Sequence, residues 1–350
     1  MAGDDGAGLY IEHGRQLFMK TCAIKYNSAG RYGGGLHVTS VEHYEIVSSH
    51  FIRNNASDSG GSIYCVNVYN LSVYSSQITA GYGNDGGGLY TTENQIQQFI
   101  NCNFLKCKAG YDGAGLYGSD IQIHIFINCT FMSNTASDDG GVVYITTGKY
   151  VYVKTCLFKF NMGRYGGGIA VEEVTHFIIL KSEYLQNMAI TSGGGVRSAE
   201  VVNLILLNSS LICNAGGDGG GLAIDETRFI TITDTMFMDN SGKYSGGIYS
   251  DSVHYFIVRN CEMIRNNASL HGGSIYIATF YVIVTLTNSS FLHNSAKKEA
   301  GCIHIYDGSK INIRNCSFTY NDAESGPAMA IASVTHCIFI NSKFVRNTAY

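Results

Sequence analysis

A glycine-centred motif recurs along the chain at intervals of 26 to 28 residues. It reads Gly33-Gly-Gly-Leu-His37, Gly60-Gly-Ser-Ile-Tyr64, Gly86-Gly-Gly-Leu-Tyr90 and Gly113-Ala-Gly-Leu-Tyr117, and thirteen copies begin between Gly6 and Gly326. A short period held over the whole length marks a solenoid, in which each copy buries its apolar face against the next. Whatever one copy folds into must therefore serve for all of them.

The residues inside the repeat decide what that is. The position after the triplet is always apolar: Leu36, Ile63, Leu89, Leu116, Val143 and onward to Met329. Two residues later the apolar character returns at Val38, Ile145, Val171, Ile224, Ile277 and Ile305. In–out–in alternation is a strand with one buried face. Further on, Phe51, Phe104, Phe131, Phe158, Phe237, Phe291, Phe318 and Phe344 share a column. Three residues after it stands asparagine: Asn27, Asn54, Asn134, Asn161, Asn187, Asn214, Asn240, Asn266, Asn294, Asn321 and Asn347. Gly81 and Cys107 alone interrupt that column. No stretch carries a helical 3.6-residue period.

The pattern predicts an all-β fold: a parallel β-helix of about 13 coils of 26–28 residues, with three short strands per coil. Its coils would lie about 4.8 Å apart. One repeat domain then spans 1–350, although length alone suggests about two domains. Asparagine suits the corners because it tolerates left-handed backbone and its amide bonds the same amide in the next coil. Glycine is abundant, 42 residues, because the turns need it, and a single proline is present because a stacked strand needs every N–H. With 45% hydrophobic and 14% charged residues the chain is not a disordered one. Its net charge of −4 gives no footprint for nucleic acid, and no apolar run is long enough for a membrane span.

Phe51-Ile-Arg-Asn54, Phe131-Met-Ser-Asn134, Phe237-Met-Asp-Asn240, Phe291-Leu-His-Asn294 and Phe344-Val-Arg-Asn347 form a Phe-x-x-Asn signature. Gly60-Gly-Ser-Ile63 and Gly272-Gly-Ser-Ile275 form a second one. Together they resemble the repeat of the chlamydial polymorphic outer-membrane protein family. The resemblance implies a right-handed β-helix at the cell surface or outside the cell, used in adhesion or surface structure.

The chain begins inside one glycine turn and stops just before another, without evident capping segments. Bare coil edges are open sheet edges. Two readings follow: a segment of a longer array, or a subunit whose copies stack end to end into a filament. Both make it an extracellular structural protein. The alternative is an adhesin that binds glycans or a host protein. A polysaccharide lyase or hydrolase comes third, since Asp138 and Asp139 form a carboxylate pair but no loop insertion builds a cleft.

Candidate sites follow from the outward columns. Tyr64, Tyr90, Tyr117 and Tyr144 occupy one position in consecutive coils, an aromatic stripe that can stack on sugars or on itself. Seven Asn-x-Ser/Thr sequons start at Asn55, Asn70, Asn128, Asn208, Asn267, Asn288 and Asn315. They accept glycans only where the side chain faces out in a glycosylating pathway. Asn55 and Asn267 are expected outside, and Asn128, Asn208, Asn288 and Asn315 inside. No cofactor is expected; the one metal candidate is Ca²⁺ on Asp112, Asp138 and Asp139, where no basic residue interrupts the column. Cys102, Cys129 and Cys156 recur in successive coils, too far apart at the coil spacing for a disulfide, and are expected as thiols.

Overall fold

A computed structural model of the protein describes residues 5–350, apart from the side chains of Thr279 and Phe280. The chain divides into two compact units, one ending at Thr175 and one beginning at His176. Each is a parallel β-solenoid. Among the described residues no helix is long and apolar enough to cross a membrane.

One coil of the first unit shows the plan. Strand Leu36–Val47 has 12 residues and forms the first face; His50–Ile52 forms the second and Asn55–Ala56 the third. The next coil repeats it in register, with Leu36 against Ile63, Val38 against Cys65 and Phe51 against Ile78. The three strands per coil are present, but the first is long rather than short. In other coils it breaks in two, as Leu89–Thr92 and Ile96–Ile100. The break falls at a residue with left-handed backbone, here Glu93 at φ 59°. The 28-residue interval of the second unit is absorbed as a register shift between Ala278 and Val282.

The interior is built from the inward columns. Leu36, Val38, Phe51 and Ile63 are at most 1% exposed, as are Phe104, Phe131 and Phe158. Full burial of each such side chain is worth about 1.5–3 kcal/mol. Rings in the phenylalanine column stack from coil to coil: Phe104 on Phe131 at 5.0 Å and Phe131 on Phe158 at 4.6 Å. The third face turns small residues inward, Ala109 and Ala136 in one unit and Ala268, Ala296 and Ala323 in the other. Glycine is required where two backbones nearly touch: a Cβ on Gly34 would collide with the carbonyl oxygens of Asn55 and Gly61.

The asparagine column is a buried ladder, but its backbone differs from the expectation. The left-handed residue at this corner is the one before the asparagine: Arg53 at φ 52°, Ser133 at φ 58°, Arg265 at φ 49°. A non-glycine residue there costs about 1–2 kcal/mol, offset by cross-coil pairing such as Arg53 N–H to Thr79 O at 2.9 Å. The asparagine earns its place by its amide. Asn294 Nδ2 donates to Asn321 Oδ1 at 3.0 Å and to Met263 O at 2.8 Å. Its Oδ1 accepts from Asn266 N at 2.9 Å and Asn266 Nδ2 at 3.1 Å. A neighbouring corner uses hydroxyls likewise: Ser49 Oγ accepts from Cys22 N at 3.1 Å and donates to Val47 O at 2.9 Å. Cysteine replaces serine in that column, and no disulfide joins any of the eleven cysteines.

Candidate functional site

The third face meets the next first strand at the glycine turn. That edge collects the aromatic, acidic and imidazole side chains. In the first unit it carries a ring ladder. Tyr32 stacks on Tyr64 at 4.7 Å, Tyr64 on Tyr90 at 5.1 Å and Tyr90 on Tyr117 at 4.9 Å, the last two within 4° of parallel. Tyr144 comes next in the column, tilted 58° from Tyr117. Tyr64, Tyr90 and Tyr117 are half-buried. Tyr144 is not an outward residue: it is only 8% exposed and its hydroxyl donates to Glu172 Oε2 at 2.9 Å. Burial pushes the hydroxyls of Tyr64 and Tyr117 up to about 12. Because the faces cover one another, a ligand meets mostly ring edges and hydroxyls.

A carboxylate column runs beside the rings. Asp85 Oδ1 accepts from Asp112 N at 3.3 Å, and Asp112 Oδ1 from Asp139 N at 2.8 Å. Each carboxylate thus braces the turn of the next coil. Burial raises Asp112 to about 6, against the pull of that N–H. Asp138 and Asp139, of the proposed calcium set, lie close enough to act on Asp112 electrostatically, but among the described residues the three do not form a group whose ligand atoms all lie within 4.8 Å of one another. Arg164, from the following coil, reaches Asp138 at 3.3 Å, so a basic residue does engage the cluster.

The sequons also need correction. Asn55 and Asn267 are exposed as expected, but so are Asn128, Asn208, Asn288 and Asn315. These four are left-handed corner residues, with φ between 47° and 53°. That backbone turns the side chain outward, and the amides form an outer ladder: Asn128 Nδ2 to Asn101 Oδ1 at 2.7 Å, Asn315 Nδ2 to Asn288 Oδ1 at 3.1 Å. Asn70 is half-buried beside His43 Nδ1, at 3.2 Å.

In the second unit the same edge changes chemistry. Tyr249 stacks on Tyr276 at 5.6 Å. The column then passes to imidazoles. His271 bridges to Glu299 in the next coil, and His304 follows the turn after Glu299. Nδ1 of His271 lies 3.6 Å from Glu299 Oε2, and Nδ1 of His304 lies 3.8 Å from the same oxygen. Burial holds both imidazoles below the ordinary histidine range, against the attraction of Glu299.

With the geometry in view, comparison with known proteins places the chain. Residues 142–349, more than half its length, match the family described as right handed beta helix region. The chain belongs to the right-handed β-helix family. No curated protein and no solved structure matches it. This family includes both pectate-lyase-like enzymes and proteins that are not enzymes.

Sequence reasoning passed over the histidine pair of this β-helix. His271, Glu299 and His304 are scattered along the chain, and only alignment of the columns sets His271 over Glu299 with His304 alongside. It also missed His124. This imidazole is 0% exposed inside the first unit, where burial holds it down at about 3. Gly118 makes room for it, since a Cβ there would lie 2.7 Å from the His124 ring.

Proposed function

We propose that this β-helix is a structural element of a cell-surface or extracellular fibre, extended by copies that stack coil on coil. The observation that carries this reading is the register. Every column of one coil finds the same column in the next, so any coil edge complements another coil edge. Strands that repeat one register accept a further coil by parallel backbone pairing.

Two further points support the placement outside the cell. Six of the seven sequons expose their asparagine, and the Phe-x-x-Asn repeat resembles that of the chlamydial surface family. The adhesin reading rests on the tyrosine ladder, whose mutual stacking leaves few ring faces for a sugar. It predicts glycan binding that is lost on replacing Tyr90 and Tyr117. A polysaccharide-active site is supported only by the elevated carboxyls Asp112 and Asp225, both at about 6.

Sedimentation over a range of concentrations tests the proposal. The wild-type chain should associate progressively, and Phe344→Asp, which places a charge in the phenylalanine column of the coil after Gly326, should weaken that association. A wild-type chain that remains monomeric at every concentration overturns stacking between copies.

A further inference from the structure

The structural reading leaves one cluster on the turn edge of the second unit unused. His271, Glu299 and His304 offer ligand atoms that all lie within 4.8 Å of one another, the one such group among the described residues. Both Nδ1 atoms point toward a single carboxylate oxygen at 3.6 and 3.8 Å, too far for hydrogen bonds. Neither has a hydrogen-bond partner, although both are buried atoms, and the His304 residue is only 8% exposed. Buried ring nitrogens are normally satisfied. Here two of them face one carboxylate oxygen.

We propose that His271, Glu299 and His304 bind a divalent transition-metal ion of the zinc class, with a coordination position left open to solvent. Two imidazoles and one carboxylate suit zinc and its neighbours, whereas calcium and magnesium take oxygen ligands. Bonds of about 2.0–2.2 Å set tetrahedral ligands about 3.3 Å apart. The two His–Glu separations therefore need to close by only a few tenths of an ångström, and all three ligand atoms already lie within 4.8 Å of one another. The rings are held in place for this. They stand at 84° to each other with centroids 5.2 Å apart, and Tyr276 packs against both, at 6.2 Å from His271 and 5.1 Å from His304. Coil register places the carboxylate, since His271 and Glu299 are bridge partners. Glu299 is exposed and gives the ion its entry. Lys298 lies close enough to act on His271 electrostatically, so Lys298→Ala should tighten binding.

The test uses the full chain without an affinity tag, stripped by a chelator and titrated with Zn²⁺ in a calorimeter. Co²⁺ serves as the spectroscopic probe. One ion per chain is expected, with the visible absorption of low-coordinate cobalt bound through nitrogen. His304→Ala and Glu299→Gln should each weaken binding by at least about tenfold and abolish the rise in thermal midpoint that Zn²⁺ gives the wild type. Glu299→Gln changes an exposed side chain and keeps its shape, so an unaltered circular dichroism spectrum establishes that its loss is local. A wild-type chain that takes up no Zn²⁺, or one whose affinity is the same in both variants, overturns the proposal.

Discussion

The two units use one repeat but differ inside. In the second, the buried asparagine ladder runs unbroken from Asn187 to Asn347 through amide bonds of 2.9–3.1 Å. The inward column on the second half of its first face is apolar: Phe177, Leu204, Ile230, Phe256, Val284 and Ile311. In the first, Gly81 and Cys107 break the ladder, and the same inward column holds Gln97 and His124, both fully buried. Thr91 and Asn94 add further polar atoms, with Asn94 Nδ2 donating to Thr91 Oγ1 at 2.7 Å. Yet the strands on either side pair without a shift, Gln97 against His124 and Ile96 against Ile123. Backbone pairing and the apolar columns that remain, such as Phe99 on Phe126, therefore keep the coil spacing where the ladder is broken. The ladder and the apolar columns set how firmly it is held.

The sharpest way to break that comparison is to cut the intact ladder. Asn294→Ala removes at once the acceptor of Asn266 N–H and of one Asn266 Nδ2 hydrogen, and a donor to the Met263 carbonyl. At about 1–3 kcal/mol for each buried group, the loss should exceed about 3 kcal/mol in denaturant titration. Asn288→Ala, on the exposed corner of the same unit, should cost only about 1 kcal/mol, chiefly because alanine tolerates its left-handed backbone less well than asparagine.

Acid should separate the units next. His124 binds its proton at about 3 when folded but near 6.5 when unfolded. A depressed folded value means that its share of stability is complete above pH 6.5 and is lost as pH falls toward 3. The slope is about 1.4 kcal/mol per pH unit. Asp112 and Asp225 oppose it, because their raised carboxyls shed a buried charge below about 6. His124→Phe, which copies Phe177 and Phe256 in that column, should remove the histidine slope. Hydrogen exchange at pH 5 should then show slower opening in the first unit alone.

Tyr90→Ala breaks the ring ladder from both sides. Two aromatic contacts at about 0.5–1.5 kcal/mol each, with the burial they protect, give an expected cost of about 2–3 kcal/mol by thermal melt. The smallest change sharpens the turn itself. Ala300 occupies a glycine position at φ 58°, and Ala300→Gly should stabilise the second unit by about 1 kcal/mol.

Much of this fold was legible because a column is a property of sequence spacing. Leu36, Val38, Phe51 and Asn54 sit where their periodicity puts them. What escaped were features of direction. The side-chain pattern does not reveal that Arg53, rather than Asn54, takes the left-handed backbone, because the preference of asparagine for that region points the other way. The same backbone turns Asn128 and Asn315 outward, although their neighbours Cys129 and Cys316 are buried. The site was less legible still. His271, Glu299 and His304 meet through coil register and a turn, and Arg164 reaches Asp138 from the following coil.

Electron microscopy of native material tests the central claim most directly. If coils stack on coils in a surface or extracellular fibre, it will show continuous thin filaments with the 4.8 Å meridional repeat of β-strands perpendicular to the axis. Dispersed single particles, each the size of one chain, would contradict it.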